Sequence, residues 1–307
     1  MAHYDATGSV APHVRRHVAA LGEVADRLIV VSTAQFTDEA AKKDLESLCE
    51  LTVRSNVGYD FFSYRAGLAQ VEDLHTYDLV LICNDSYIGP VRPFTRILDE
   101  MAARPVDYWG LTLSDSPSPH VQSFFMGFRN WVVRSQAFTD FWRTMRPAEG
   151  RQDAIDRFEL GFSATLASTG FRAGSYFEPT AADRALARRR MLWAGWSNLA
   201  DLPPGRRIRT RMRLRLTDEW NPMAALADRV LDDGRLPVVK FDTLRYDPYR
   251  LGSGRLLRAC ERRYPEHFEG VRDYLEQTNA MYPDRRPKRR LPAEPPVALR
   301  PFVGYGG

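Results

Sequence analysis

Short apolar runs separated by helical stretches constrain the fold more than any other feature of this sequence. Four runs have the length and β-branched or aromatic content of buried strands: LIVVS (28–32), LTV (51–53), DLVLIC (78–83) and YWGLT (108–112). The segments between them have helical character, at 36–49, 62–68 and 94–103. Strands and helices that alternate at short intervals predict a parallel sheet covered on both faces. The expected fold class is therefore α/β.

The pattern is weaker in the second half of the chain. Helices are predicted at 153–169, 221–231 and 254–263, with short strands at 170–177 and 237–241, whereas 186–219 has no clear pattern. Beyond residue 282 the prolines and arginines predict a disordered tail. These shifts suggest a ligand-binding half at 1–115, a mainly helical half at 116–282 and a basic tail at 283–307.

Composition excludes several classes of protein. With 44% hydrophobic and 27% charged residues, the chain has the make-up of a soluble globular protein. Its three cysteines are odd in number and lack CxxC spacing, which favours a reducing compartment over a disulfide framework or zinc site. No apolar run approaches the roughly 18 residues of a membrane span. We therefore expect a cytoplasmic protein.

The net charge of +4 is concentrated in two arginine-rich segments, RRIRTRMRLR (206–215) and RRPKRR (285–290). A phosphorylated ligand, an anionic membrane surface or nucleic acid can explain such clusters, and so can a solvated face with a flexible tail. Nucleic acid is disfavoured because aromatic residues are not interleaved with these arginines as on a base-stacking surface.

Polar residues follow the strand at 78–83 directly, in CNDSYIGP (83–90). Asp85 can ligate a divalent cation such as Mg²⁺ or Mn²⁺, while Asn84 and Ser86 can bind a ligand or hold that carboxylate. Ligands of open α/β sheets bind at the carboxyl ends of strands. The alternative is a turn, which Asn-Asp-Ser closed by Gly-Pro suits equally well.

A second polar loop, RSNVGYD (54–60), follows the strand at 51–53. Gly58 permits close backbone approach, Arg54 can pair with phosphate, and Asp60 can accept from sugar hydroxyls. The alternative is a turn with an internal Arg–Asp pair, which is favoured when this loop is taken alone.

A third candidate is Glu159, near the start of the predicted helix at 153–169. It lies beside the apolar stripe of that helix, so it can face a cleft and act as a general base. An ordinary exposed helix glutamate is the simpler interpretation. The sequence contains no nucleophile elbow, Walker loop or GxGxxG, which removes common hydrolase, NTPase and dinucleotide-binding interpretations.

Taken in order, these segments resemble the rhamnan synthesis F family of bacterial polysaccharide glycosyltransferases. The similarity begins with HYDATGSVAPHV (3–14) and includes LIVVSTA, RSNVGYDFFSYRAGL, YDLVLICNDSYIGPV, DYWGLT, HVQSFFMGF and FELGFSATLASTGF. It continues into NPMAALADRVLDDGRLPVVKFDTLRYDP. No single motif is decisive, but the shared order of many motifs is specific.

The resemblance implies a GT-A-like fold, with a Rossmann-type nucleotide-sugar half merged with an acceptor half. It implies donor-side roles for Arg54, Asn56, Gly58, Asp60 and the triplet Asn84, Asp85 and Ser86, with Lys240 as a further cation for the diphosphate. By analogy, Glu159 is the catalytic base of an inverting transfer. Such enzymes usually carry Asp-x-Asp where this chain has Asn84-Asp85-Ser86, so both metal-dependent and metal-independent chemistry are open.

The expected partners are a nucleotide-sugar donor, with a dTDP-linked deoxysugar favoured, and a glycan or lipid-linked glycan acceptor. The basic tail suggests peripheral attachment to an anionic membrane surface. The alternative is a relative that binds a nucleotide sugar or glycan without turnover, a reading prompted by the missing second carboxylate.

Overall fold

The computed structural model describes residues 1–115, 117–199, 220–283 and 294–306, without the side chains of residues 198 and 199. The chain divides into two compact units. Unit 1 comprises residues 1–86, 92–113 and 118–176, and unit 2 comprises 87–91, 114–117 and 177–307. The main division thus falls after residue 176, not at the predicted position after residue 115.

Strands are short throughout the described residues. They are β1 (Ala2–His3), β2 (Ile29–Ser32), β3 (Glu50–Val53), β4 (Leu79–Cys83), β5 (Tyr87–Ile88), β6 (Tyr108–Gly110), β7 (Leu113–Ser114), β8 (His120–Val121), β9 (Phe125–Arg129), β10 (Ala173–Ser175) and β11 (Val239–Lys240). The predicted strands at 28–32, 51–53, 78–83, 108–112, 170–177 and 237–241 are confirmed, and β9 was not predicted.

Helices surround these strands. They are α1 (Pro12–Gly22), α2 (Glu39–Glu46), α3 (Tyr59–Leu68), α4 (Phe94–Ala102), α5 (Asn130–Val133), α6 (Gln136–Thr144), α7 (Arg151–Ala154), α8 (Gly161–Ser168), α9 (Ala181–Leu199), α10 (Pro222–Ala225), α11 (Phe241–Tyr246), α12 (Ser253–Arg263), α13 (Pro265–Phe268), α14 (Val271–Thr278) and α15 (Arg300–Val303). A π-helix, Ile155–Leu160, joins α7 to α8. Short 3₁₀ turns cover Leu74–Thr76, Ala227–Val230 and Val297–Leu299.

Local sequence explains where several helices begin. Pro12 opens α1, where its missing N–H costs nothing. The Asp38 carboxylate accepts hydrogen bonds from the N–H groups of Ala40 and Ala41 and so caps α2. Gly58 precedes α3 with φ of 80°, a left-handed conformation that glycine adopts without strain.

The strands of unit 1 form two sheets joined by one bridge. Parallel pairing gives the order β3-β2-β1, and a second sheet has the order β4-β9-β6-β10, with β9 antiparallel to both β4 and β6. A parallel bridge between Ala2 and Asn84 joins β1 to the end of β4. The mixed α/β class is therefore confirmed. Across the two joined sheets the strands follow the order β3-β2-β1-β4, so the direction in which successive strands are added reverses between β1 and β4.

An aromatic cluster forms the core of unit 1 under this sheet. Phe61, Phe128, Phe138 and Phe162 are each at most 5% exposed. The rings of Phe141 and Phe162 stack with centroids 4.2 Å apart. Burying an aromatic side chain of this size stabilises a fold by about 1.5–3 kcal/mol, so the cluster holds α3, α6 and α8 against the sheet.

Unit 2 is mainly helical, with β5 and β11 paired antiparallel. Its core includes Val230, Leu251, Leu256 and Cys260, all fully buried. The long helix α9 was not predicted. It covers part of the 186–219 stretch that has no clear sequence pattern, and the remainder, including the arginines at 206–215, lies outside the described residues.

The predicted disordered tail is wrong for residues 294–306. Tyr305 is 1% exposed, and its hydroxyl donates to the carbonyl oxygen of Ala224 at 2.5 Å. Its N–H donates to Leu251 at 3.0 Å. One tyrosine and a short helix therefore anchor this segment in unit 2, a contact that composition cannot reveal. The RRPKRR segment lies outside the described residues.

A buried ion pair receives the same C-terminal segment. Arg190 of α9 forms a bidentate pair with Asp228, at 2.7 and 2.6 Å, and both side chains are 2% exposed. The Arg190 guanidinium also donates to Gly304, and Gly306 donates its N–H to Asp228 at 3.0 Å. Burial is the largest effect and acts to raise the pKa of Asp228. The hydrogen bonds and charge of Arg190, the charge of Arg229 and the Gly306 N–H together outweigh it and hold that pKa below its usual value.

Candidate functional site

The carboxyl ends of β1 and β4 lie side by side in unit 1, on either side of the point where the strand order reverses. The bridge between Ala2 and Asn84 places the residues that follow β1 next to those that follow β4. Open α/β sheets bind ligands in the crevice at such a switch point. The residues at this edge are therefore the first candidates for a site.

Asp85 is the central acid of this edge. Its Oδ2 accepts a 2.7 Å hydrogen bond from the N–H of Tyr4, which fixes the carboxylate, and its side chain is 15% exposed. Burial raises the pKa of Asp85 well above its usual value, and the charges of Asp60 and Asp5 raise it further against the effect of the Tyr4 bond. Within the described residues, no lysine or arginine forms an ion pair with Asp85. A bound cation would relieve this cost.

His3 and Asp5 belong to the same edge and were not predicted from sequence. The His3 Nδ1 lies 2.9 Å from the Ser32 hydroxyl, and its Nε2 lies 3.9 Å from Asp85 Oδ2. Burial lowers the pKa of His3 to about 4, so the ring is neutral at neutral pH and does not balance the Asp85 charge. Asp5 Oδ1 accepts from the Thr7 N–H at 2.7 Å, whereas Oδ2 is buried without a hydrogen-bond partner. Both residues fall within HYDATGSVAPHV, the first segment of the resemblance, but nothing in that segment marked them as site residues.

Asn84 connects the two predicted polar loops. Its amide group donates to Asp60 at 2.8 Å, and its carbonyl oxygen accepts from the N–H and hydroxyl of Ser86 at 3.1 and 2.7 Å. The structure thus brings Asp60, Asn84, Asp85 and Ser86 together. The Asn84 side chain is hydrogen-bonded on both ends, to Asp60 and to Ser86, and a contact from Asn84 or Ser86 to the Asp85 carboxylate or to a ligand stays a prediction.

Arg54 has a structural role in its own loop. Its guanidinium donates to the carbonyl oxygens of Ser55, Val57 and Tyr59 at 2.9, 2.7 and 2.9 Å, and to the Ser63 hydroxyl. The alternative interpretation of this loop was a turn with an internal Arg–Asp pair. In the structure the Arg54 guanidinium is hydrogen-bonded to backbone carbonyl oxygens of the turn and to Ser63. Burial lowers the pKa of Arg54, opposed by the Asp60 charge. A contact from Arg54 to phosphate stays a prediction.

The remaining donor-side residues occupy different places. A Cβ on Gly58 would lie 2.4 Å from the Phe62 ring, so this position admits only glycine without a shift. Asn56 is exposed in the same loop. Lys240 lies on β11 in unit 2, paired in register with Tyr87. Donor contacts from Asn56 and Lys240 stay predictions.

Glu159 lies in the π-helix, an element that is often found at functional sites. Its Oε1 accepts from the Ser123 N–H at 3.0 Å and lies 3.7 Å from His120 Nε2. The His120 Nδ1 lies 2.7 Å from the Ser118 carbonyl oxygen, which can only accept, so Nδ1 carries a proton. The His120 Nε2 is the ring nitrogen that faces Glu159 Oε1.

The two acids are linked by one backbone segment. Ser123 donates to Glu159, and the next residue, Phe124, accepts from the Asn84 N–H at 3.0 Å. Cys83 and Phe125 are direct partners in the β4–β9 pairing, so both acids lie at the same end of that ribbon. The edge thus carries one half-buried acid, Asp85, suited to a cation, and a second half-buried acid, Glu159, suited to proton transfer.

A divalent metal fits this edge only with ligands from outside the protein. Among the described residues, no group of three His, Cys, Asp or Glu side chains is arranged to hold an ion. Asp85 offers a half-buried carboxylate with no lysine or arginine partner among the described residues. Mg²⁺ commonly binds through one or two carboxylates together with substrate phosphates. Asp85 is therefore the residue that would hold such a metal.

Replacing Asp85 by Asn should raise the melting temperature of the ligand-free protein at neutral pH. A carboxyl whose pKa is raised by folding destabilises the folded state once it ionises, and this cost is absent below the unfolded-state pKa of about 3.9. The stabilising effect should therefore be greatest at neutral pH and vanish towards pH 3.5. Thermal unfolding across that range tests this, with Asp99→Asn, an exposed aspartate of unit 1, as the control. A gain in melting temperature that is the same at every pH would show that ionisation of Asp85 does not destabilise the folded protein.

Comparison of the sequence with known proteins identifies relatives of this chain. Residues 28–195, more than half of the chain, match a family model described as rhamnan synthesis protein F. An uncharacterized protein y4gN of Sinorhizobium fredii is 25% identical over 159 residues, which cover 50% of this chain and 41% of that protein. Virulence protein VirA of Vibrio anguillarum is 29% identical over 137 residues, 43% of each chain. The chain therefore spans less than half the length of these relatives.

Proposed function

Because the chain belongs to the rhamnan synthesis protein F family, we propose that it is a glycosyltransferase in bacterial polysaccharide synthesis. It would move a sugar from a nucleoside-diphosphate donor to a growing cell-envelope polysaccharide. The observation that carries this proposal is the pair of acids at one sheet edge, Asp85 and Glu159, connected through Ser123 and Phe124. Their different surroundings suit different tasks, one beside a diphosphate and one beside a hydroxyl.

The donor side is the crevice between β1 and β4. The order β3-β2-β1 followed by β4 matches the nucleotide-binding half of a Rossmann-type sheet, which supports a GT-A-like fold. We assign the diphosphate to Asp85, and the family's link to rhamnan favours a dTDP-linked deoxysugar such as rhamnose as donor. Mg²⁺ or Mn²⁺ bound at Asp85 would neutralise charge on the leaving diphosphate.

The proposed reaction is a single in-line displacement. Glu159 accepts the proton of the acceptor hydroxyl while that oxygen forms a bond to the sugar C1. The bond between C1 and the diphosphate oxygen breaks, the electron pair leaves with the nucleoside diphosphate, and the anomeric centre inverts. Ser123 holds one oxygen of Glu159, the oxygen that also lies nearest to His120, so that the other can face the acceptor hydroxyl.

The acceptor is a glycan or a lipid-linked glycan at the cytoplasmic face of the membrane. None of the helices within the described ranges is long and apolar enough to cross a bilayer. The alternative is a relative that binds a nucleotide sugar without turnover, suggested by the single carboxylate at the position of Asp85.

A panel of nucleoside diphosphates, measured by calorimetry with and without Mn²⁺, tests the donor site. Binding should favour dTDP, and Asp85→Asn should weaken the Mn²⁺-dependent binding by about tenfold or more, or about 1.4 kcal/mol. Asp99→Asn should leave the affinity unchanged, because this residue is exposed on α4. Equal affinity of the parent and Asp85→Asn proteins for every nucleotide would rule out the assigned donor site.

A further inference from the structure

The outward face of α9 in unit 2 combines arginines with large apolar side chains. The inward face is well packed: Ala187, Arg190, Met191, Ala194 and Ser197 are each at most 6% exposed. Leu192 and Trp196, one turn apart on the other side, are 46% and 67% exposed. An exposed tryptophan of this extent, next to an exposed leucine, is uncommon on a soluble surface without a partner.

The charge of this face has one sign. The residues of α9 that are exposed and described are Ala181, Ala182, Arg184, Ala185, Arg188, Arg189, Leu192 and Trp196. Three arginines and no acid are among them, because the one acid of the described part of the helix, Asp183, is buried. The arginines lie in the first part of the helix, and the apolar pair lies in the last part.

The helix is held rigidly enough to present this face. The buried pair between Arg190 and Asp228 fixes its middle, and the Trp193 indole N–H donates to the Arg250 carbonyl oxygen at 3.0 Å. Both anchors lie on the inward side of the helix, whereas the Leu192 and Trp196 side chains are exposed on the other side.

We propose that this face of α9 docks onto an anionic lipid surface. Helices that lie in a membrane interface place tryptophan and leucine at the acyl boundary and arginines against acidic headgroups. Tryptophan favours this zone because its ring is amphipathic. An acidic protein surface would satisfy the arginines but would not by itself call for the exposed Leu192 and Trp196 pair. The inference does not depend on sugar transfer.

Sedimentation with phosphatidylglycerol vesicles and with phosphatidylcholine vesicles tests this proposal. The full chain should bind the anionic vesicles and ignore the neutral ones, and 1 M salt should weaken the binding. Arg189→Gln should weaken partitioning by about fivefold, and the double change Leu192→Ser with Trp196→Ser by about tenfold or more. Trp196→Phe should bind more strongly than the Leu192→Ser, Trp196→Ser protein, because phenylalanine keeps a large apolar ring while it lacks the indole N–H.

Trp131→Ser provides a matched control, because Trp131 is 51% exposed in unit 1. It should bind anionic vesicles like the parent protein. Quenching of tryptophan fluorescence by brominated lipid gives a second readout that should be reduced in Trp196→Phe but not in Trp131→Phe. Failure of the parent chain to bind anionic vesicles, or full binding by the Leu192→Ser, Trp196→Ser protein, would overturn the proposal.

Discussion

Replacing Glu159 by Gln is expected to slow sugar transfer by about 10²- to 10⁴-fold, the usual contribution of a general base. The glutamine carbonyl oxygen can still accept from the Ser123 N–H, so the local fold is kept. It cannot take up the proton of the acceptor hydroxyl. Donor affinity should therefore stay close to that of the parent protein, because the diphosphate is assigned to Asp85.

Single-turnover transfer assays and calorimetry on the same preparation separate these two effects. Glu149→Gln is the matched control, since Glu149 is an exposed glutamate of unit 1. A Glu159→Gln protein that transfers sugar at the parent rate would exclude Glu159 as the base. A parent protein that binds the donor but transfers to no acceptor would favour the non-catalytic alternative.

Replacing Arg190 by Met is expected to lower the free energy of unfolding of unit 2 by about 3–5 kcal/mol, the cost of leaving a buried charge unpaired. Asp228 would keep the N–H of Gly306 and the Arg229 guanidinium at 3.3 Å, but it would lose the bidentate partner that offsets its burial. The carbonyl oxygens of Ala225 and Gly304 would lose their donor as well.

Urea denaturation of the parent and variant proteins measures this effect. Arg189→Met is the control at the neighbouring position, where the side chain is exposed, and it should change stability by no more than about 0.5 kcal/mol. An Arg190→Met protein as stable as the parent would show that the ion pair gives no net stabilisation relative to a buried methionine.

The Arg190–Asp228 pair affects how a role of the basic tail (283–307) in membrane binding can be tested, because residues of that tail contact the pair. A deletion of residues 283–307 would remove Tyr305 and the backbone groups of Gly304 and Gly306 together with the arginines, so loss of membrane binding could reflect unfolding of unit 2. Neutralising substitutions within RRPKRR leave residues 294–306 in place and isolate the contribution of charge.

Sequence patterns predicted the elements of unit 1 well because those patterns are local. The β-branched runs at 28–32 and 78–83 became β2 and β4, and their length and flanking polar residues were sufficient to place them. The position of Asn84 and Asp85 at a sheet edge follows from the same reasoning, since polar residues after a buried strand must leave the sheet. Helical structure at 153–169 was predicted as well, although Glu159 lies in the π-helix that interrupts it, and its role as a base stays a prediction.

The partners of these acids were decided by contacts between residues far apart in the chain. Tyr4 meets Asp85 across 81 positions, and Ser123 meets Glu159 across 36. Helical periodicity at 153–169 gave no sign of the π-helix, and the Arg54 motif did not show which backbone carbonyls its guanidinium contacts in the folded loop.

The C-terminal segment shows the same limit most clearly. Composition predicts disorder for a stretch rich in proline and arginine, yet Tyr305 is anchored against Ala224 and the Arg190–Asp228 pair. Local sequence determined which segments became strands and helices in unit 1 and which loops leave its sheet. Only the tertiary structure decided which charges are buried and which groups compensate them, because burial and compensation depend on neighbours that the chain supplies from distant positions.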